Sequence, residues 1–398
     1  MKSAATTPPS TTGERGLRSA AEPLAPADDD LFDPHRHGDE DAAAGVLDFA
    51  VNVRPGPPEF LADILRDRVA DLAAYPSGAD LAVATEAIAE LHGRDRAEVL
   101  LLGGAAEGFE LLAKLGARHA ALIEPSFTEP ARILREAGGA RVTSVVLPPP
   151  WSLHAAAVPD DADLVVVGNP TNPTSVLHTR AEIEALRRPG RLVVIDEAFA
   201  DLTVGGGAAE PESLAGTRAE DLIVIRSVTK TFALAGLRAG YLLAAPEVVA
   251  RLSRGRRHWP LGSLSLAALT ACAGPQGQAH VAAEAAQVRA DRAYLVDRLA
   301  ALGVSPAVDP QAPYVLLRLA GGTAVKAALR ARGIGVRSCA NFDGLGPDYL
   351  RVAVRRREST DALIAAMQDV MTAVARSPHR DRPTDPARRV SPDESPTG

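Results

Sequence analysis

Residues 191–200 read RLVVIDEAFA, and this stretch decides the fold. Leu192-Val193-Val194-Ile195 is an unbroken apolar run, largely β-branched, that ends on the acidic pair Asp196-Glu197. A strand with one wet face alternates apolar and polar residues, whereas a run without alternation is buried on both faces. The same texture recurs at 119–123 (HAALI), 164–168 (LVVVG), 222–226 (LIVIR) and 239–244 (AGYLLA). Ala/Leu-rich helical stretches separate these runs, and strand–helix alternation builds a mostly parallel sheet between layers of helices. After a helix expected near 282–302 the texture changes. Strands at 313–319 and 350–355, with helices near 323–332 and 358–376, read as a smaller α+β unit.

The expected class is therefore α/β, with no repeat of fixed period. The expected layout is a disordered tail over 1–35, an N-terminal arm over 36–77, a large domain over 78–265, a small domain over 266–376 and a disordered tail over 377–398. Both tails are rich in proline and poor in residues able to form a core. The chain has 398 residues, 46% hydrophobic and 23% charged, which excludes a wholly disordered or collagen-like protein. A net charge of −7 argues against a nucleic-acid partner. Two cysteines, Cys272 and Cys339, exclude a disulfide scaffold, and no zinc-type spacing is present, so no metal is expected. No apolar run approaches the roughly 20 residues of a membrane span. The N-terminus lacks a charged-then-apolar leader. The expectation is a cytoplasmic protein without a membrane partner.

Ligands of open α/β sheets sit beyond the carboxyl ends of the strands. Four such places carry special residues. Gly103-Gly104-Ala105-Ala106 opens a helix, which suits an anion on free N–H groups but equally a tight helix start without ligand. Gly168-Asn169-Pro170-Thr171-Asn172-Pro173 holds Asn172 in a rigid turn, as a ligand donor or as plain structure. Asp196 ends a buried strand and needs a partner there: a protonated ring nitrogen, a metal or a helix N-terminus. The most specific stretch is 227–240, SVTKTFALAGLRAG. Lys230 lies among hydroxyls in an apolar setting, where desolvation frees its amine as a nucleophile. Ser227, Thr229 and Arg238 suit a phosphate.

The four motifs together, over roughly 36–376, resemble the class I aminotransferases of the fold type I pyridoxal-phosphate enzymes. That resemblance implies a large cofactor-binding domain with a mostly parallel, seven-stranded-type sheet sandwiched by helices, plus a smaller α+β domain. It implies pyridoxal 5'-phosphate as cofactor, with Lys230 linked to it as a Schiff base. Asp196 then faces the pyridine nitrogen and Asn172 the phenolic oxygen. The amides of Ala105 and Ala106, with Ser227, Thr229 and Arg238, hold the phosphate. Phe127 stacks on the ring, and Tyr75, in Ala74-Tyr75-Pro76, reaches the phosphate from a second subunit, which implies a homodimer. Where most relatives carry tyrosine, this chain has Phe199, so the phenol–cofactor bond is missing.

Amino-acid carboxylates call for arginine. Arg351 occupies the family's carboxylate position, and Arg337 opens Arg-Ser-Cys-Ala-Asn-Phe-Asp-Gly-Leu at 337–345. Each is otherwise a solvated charge beside a strand. The 337–345 stretch, Asp-Glu-Ala-Phe at 196–199, His37-Gly38-Asp39 and Leu47 to Asn52 resemble threonine-phosphate decarboxylases of cobalamin biosynthesis, relatives of histidinol-phosphate aminotransferases. His37 and Asn52 become candidates for a substrate phosphate, although His37 also reads as an ordinary histidine of a mobile arm. The expected reaction is decarboxylation of O-phospho-threonine. The alternative is transamination of the histidinol-phosphate type, and a remoter one is a non-catalytic binding protein on the same fold.

Overall fold

The computed structural model describes residues 45–376 except 55, 206 and 207. The tails expected over 1–35 and 377–398 lie outside the described residues, as does His37. A short strand β1 (Leu47–Phe49) is followed by helices α1 (Glu59–Asp67) and α2 (Gly78–His92). Next come β2 (Val99–Leu102), β3 (His119–Glu124), β4 (Arg141–Val146), β5 (Leu164–Gly168) and β6 (Leu192–Asp196). Helices α3 (Ala105–Leu112), α4 (Glu129–Glu136) and α5 (Arg180–Glu184) connect them. A hairpin of β7 (Val204–Gly205) and β8 (Ala208–Ala209) precedes β9 (Leu222–Ser227) and β10 (Gly240–Leu243). Helices α6 (Pro246–Ser253), α7 (Ser263–Ala273) and α8 (Pro275–Ala301) lead to a second unit. It contains β11 (Tyr314–Arg318), α9 (Gly322–Arg330), β12 (Ile334–Ser338), β13 (Tyr349–Ala353) and α10 (Arg357–Arg376).

The large sheet has seven strands in the order β2-β10-β9-β6-β5-β3-β4, and all its pairings are parallel except those of β10. Its central strands are apolar on both faces because both are covered. Val165, Val193, Ile195 and Val224 pack with Ile88, Leu266 and the buried Trp151 on one side. Leu164, Val166, Val194 and Ile223 pack with Phe109, Leu134 and Leu252 on the other. Each such aliphatic side chain contributes about 1.5–3 kcal/mol by leaving water. From β3 the chain steps outward to β4, then crosses back to β5 on the opposite side. This reversal makes a topological switch point, whose crevice opens at the carboxyl ends of the strands. The small sheet, in the order β1-β12-β13-β11, has its own core around Phe49, Val315, Val336 and Val352.

Six of these strands, β1, β2, β4, β12 and the two-residue β7 and β8, are absent from the sequence reading. The edge strand β4 is half exposed and carries Arg, Thr and Ser, so it lacks an apolar run. In β12, Gly335 and Arg337 interrupt the pattern. In β2, Val-Leu-Leu-Leu is an apolar run of only four residues, which pattern alone does not tell from a buried helical segment. Among the described residues no helix is long and apolar enough to cross a membrane.

The loop after β12 docks on the ends of β3 and β4. Ser144 Oγ donates to Asp343 at 2.7 Å, and Gly344, at φ +85°, sits so close to Val146 that a Cβ would lie 2.5 Å from its Cγ1. Beneath this contact Glu124 is buried. Burial first, and then the charge of Asp343, push its carboxyl up to about 8. An unfolded glutamate loses its proton near 4.5, so between those values folding takes up a proton and stability falls as pH rises. Glu124→Gln is expected to abolish that fall. Relative to the parent chain, its melting temperature should gain little at pH 5 and on the order of several degrees at pH 8.5, as followed by thermal denaturation at both pH values.

Candidate active site

The polar residues that follow the buried strands converge at one edge of the large sheet. Gly104 follows β2, Phe127 follows β3, and Asn172 follows β5. Asp196 ends β6, while Ser227 ends β9 and Thr229 and Lys230 follow it. Arg238 stands just before the antiparallel β10.

One half of this cluster is built for an anion. Gly104, at φ +90°, caps α3, and a Cβ there would lie 2.7 Å from Arg238 Nη2. The guanidinium therefore lies directly against the glycine that caps α3. Gly240 is equally confined: a Cβ would meet the Arg226 carbonyl at 2.7 Å and the Ala105 nitrogen at 3.1 Å. Arg238 itself takes the left-handed conformation, at φ 55°. Ser227 Oγ and Thr229 Oγ1 are 2.6 Å apart. Two hydroxyls, a guanidinium and the positive end of a helix form the donor set of a phosphate cradle.

The other half handles protons. The Asp196 carboxyl accepts from the Ala198 N–H at 3.0 Å. Burial pushes it up to about 6, while the positive charge of Lys230 pulls it back down. An acid in that state is complemented by a cationic N–H placed against it. Lys230 Nζ lies over the Phe199 ring, 5.8 Å from its centroid. Phe127 sits between the helices, 6.1 Å from Phe109 in a tilted contact. These side chains fit pyridoxal phosphate: an amine for its aldehyde, an acid for its ring nitrogen and a cradle for its phosphate.

Arginines reach in from the small sheet. Arg337 of β12 and Arg351 of β13 are direct register partners, and both are buried. Arg351 donates from Nη1 to Asn172 Oδ1 and from Nη2 to the Ala50 carbonyl. Arg337 Nη2 donates to Asn341 Oδ1 at 2.9 Å. With its oxygen taken by Arg351, Asn172 keeps Nδ2 as a donor. The sequence reading gave Asn172 a cofactor contact alone; the structure adds this tie to the small sheet. Asn52 is buried beside the Ala50 loop with Oδ1 lacking a partner. Tyr75 stands apart from the cluster, 75% exposed and stacked on Trp259 at 4.2 Å.

Sequence reasoning missed what holds the strand ends together. Glu197 accepts from Arg226 Nη1 (2.9 Å), Ser213 Oγ (2.6 Å) and the Leu214 N–H (2.7 Å). Glu210 engages Arg226 through both oxygens, at 2.7 and 2.9 Å. This network ties the residue after Asp196 to the residue before Ser227. The only signal for it was one charge next to each candidate site residue.

Fold and site together define a pyridoxal-phosphate-dependent enzyme of fold type I. The chain belongs to the family Aminotransferase class I and II, which it matches over residues 44–367. It is 53% identical over 320 residues to a histidinol-phosphate aminotransferase of Mycobacterium tuberculosis, covering 80% of this chain and 86% of that one. It is 30% identical over 342 residues to a threonine-phosphate decarboxylase of Salmonella typhimurium, covering 83% of this chain and 92% of that one. In fold it resembles histidinol-phosphate aminotransferase from Sinorhizobium meliloti in complex with pyridoxal 5'-phosphate. The TM-score is 0.72 at 20% identity, over 82% of this chain and 91% of that chain.

The cradle makes a test. Gly104→Ala must displace the Arg238 guanidinium and strain the backbone. Cofactor affinity is expected to fall about tenfold or more, the worth of one charge-assisted hydrogen bond, as measured by equilibrium dialysis of the purified variant.

Proposed function

We propose that this chain transfers the amino group of a phosphorylated amino substrate of the histidinol-phosphate kind to a 2-oxo acid. The observation that carries this reading is the buried pair Arg337 and Arg351, side by side on adjacent strands. Two guanidinium groups side by side suit a doubly charged phosphate, which their planar donors grip bidentately. The name of the 53% identical relative supports the same substrate class.

When bound, the cofactor supplies an electron sink for the bond broken at the substrate's Cα. Lys230 takes the Cα proton through Nζ as general base, with that amine lying over the Phe199 ring. Asp196 holds a proton on the ring nitrogen facing it. Ser227, Thr229, Arg238 and the amides of Ala105 and Ala106 retain the cofactor phosphate. Phe127 would cover the cofactor ring, and Asn172 Nδ2 would donate to its oxygen. Arg351, Arg337 and Asn52 grip the substrate anion. The exposed apolar residues Val69, Leu72, Leu81 and Val83 and the stacked pair Tyr75 and Trp259 support a homodimer in which Tyr75 serves the neighbouring site. The free thiols Cys272 and Cys339 suit a reducing, cytoplasmic setting.

A second reading, decarboxylation of O-phospho-threonine, is favoured by Phe199 and by the 30% identical decarboxylase. One assay separates the two. Glutamate formed from histidinol phosphate and 2-oxoglutarate supports transamination, whereas CO2 released from O-phospho-threonine without any oxo acid supports decarboxylation and overturns the main reading. Lys230→Ala is expected to lower either activity about a thousandfold or more and to prevent borohydride from fixing the cofactor to the chain, as read by mass spectrometry.

A further inference from the structure

Phe199, Tyr314, Ala198 and Ala312 form an apolar cluster of their own, apart from the three larger cores. Phe199 follows β6 of the large sheet, while Tyr314 begins β11 of the small one. The two rings meet edge to face, with centroids 5.1 Å apart and planes at 78°. Each ring carries a cation on its outer face. Lys230 Nζ lies 5.8 Å from the Phe199 centroid, and Arg351 Cζ lies 5.5 Å from the Tyr314 centroid. Both contacts are within the range of cation–π attraction.

Tyr314 is fully buried, and its hydroxyl donates to the Thr171 carbonyl at 3.1 Å. Burial raises that hydroxyl well above its ordinary value, so it stays a donor. Thr171 immediately precedes Asn172, which accepts from Arg351. The segment before β11 is fastened to the same loop, since the Ala312 N–H donates to Ser175 Oγ at 2.8 Å. Ring, guanidinium and loop therefore form one closed unit across the two sheets.

We propose that Tyr314 is a positioning residue: its ring, braced edge-on by Phe199, sets where the Arg351 guanidinium stands relative to the Lys230 amine. The pair of rings is then a ruler between the group that grips the substrate anion and the group that moves its proton. On this view phenylalanine at 199 is more than a lost phenol, because its unsubstituted edge-to-face contact locates Tyr314.

The inference rests on Arg351 as the anion clamp of the proposed function, so Arg351→Met is measured alongside. The readouts are KM for the phosphorylated amino substrate, kcat, and the cofactor's dissociation constant by equilibrium dialysis. Tyr314→Leu is expected to raise KM about tenfold, to change kcat less than about threefold and to leave the cofactor constant within about twofold. Tyr314→Phe keeps the ring and is expected to hold KM within about twofold. An equal loss in cofactor binding would mark a merely structural role and overturn the proposal, as would a tenfold rise in KM for Tyr314→Phe. Should Arg351→Met raise KM while Tyr314→Leu does not, this inference alone fails. Should Arg351→Met leave KM unchanged, the clamp reading fails and takes the inference with it.

Discussion

Everything at this site depends on keeping a few charges at the ends of central strands that are otherwise apolar. Charge in such a place is costly unless it is matched. The protein matches it twice over. Behind the site, Arg226 is caught between Glu197 and Glu210, with Ser213 and a backbone N–H completing the shell. In front, Asp196 and Lys230 act on one another, and the acid sits near 6, so the addition of a cation tips its state. The first network is saturated and fixes strand ends. The second sets a carboxyl raised by burial near an amine, the kind of perturbed pair that marks a chemical centre.

Much of the large sheet was legible because doubly buried strands announce themselves as unbroken apolar runs, and because sites lie just beyond them. Leu192–Asp196 and the stretch from Ser227 to Gly240 could be read directly for this reason. The small sheet was less legible. Its strand β12 carries Gly335 and Arg337 where a strand pattern expects apolar residues, and those positions alternate with Ile334 and Val336 of the small core. Contacts distant in sequence were invisible: the Arg351–Asn172 bond spans 179 residues. Glu197 and Arg226 each stood next to a recognised residue, yet nothing local reveals that two such charges will meet. Tyr314 reads as the start of an ordinary core strand, and only its neighbours in space give it another part to play.

Around the crevice the two sheets are joined by an apolar core that takes in Leu316 and Phe342 and by well-defined polar contacts. Arg351 bridges the Ala50 loop and Asn172, Tyr314 bridges the same loop and Phe199, and Ser144 meets Asp343 at the far side. Each contact pairs a residue of one sheet's edge with a residue serving the other. Arg351 and Tyr314 of the small sheet are thereby tied to the loop that follows β5 of the large one.

The stacked surface pair of Tyr75 and Trp259 has a practical consequence. The chain holds two tryptophans; Trp151 is only 2% exposed, whereas Trp259 is 53% exposed. Their emission must differ in wavelength and in susceptibility to aqueous quenchers. The molecule thus carries two intrinsic fluorophores of separable colour, one reporting on the interior beneath the sheet and the other on whatever comes to lie against that outer aromatic step.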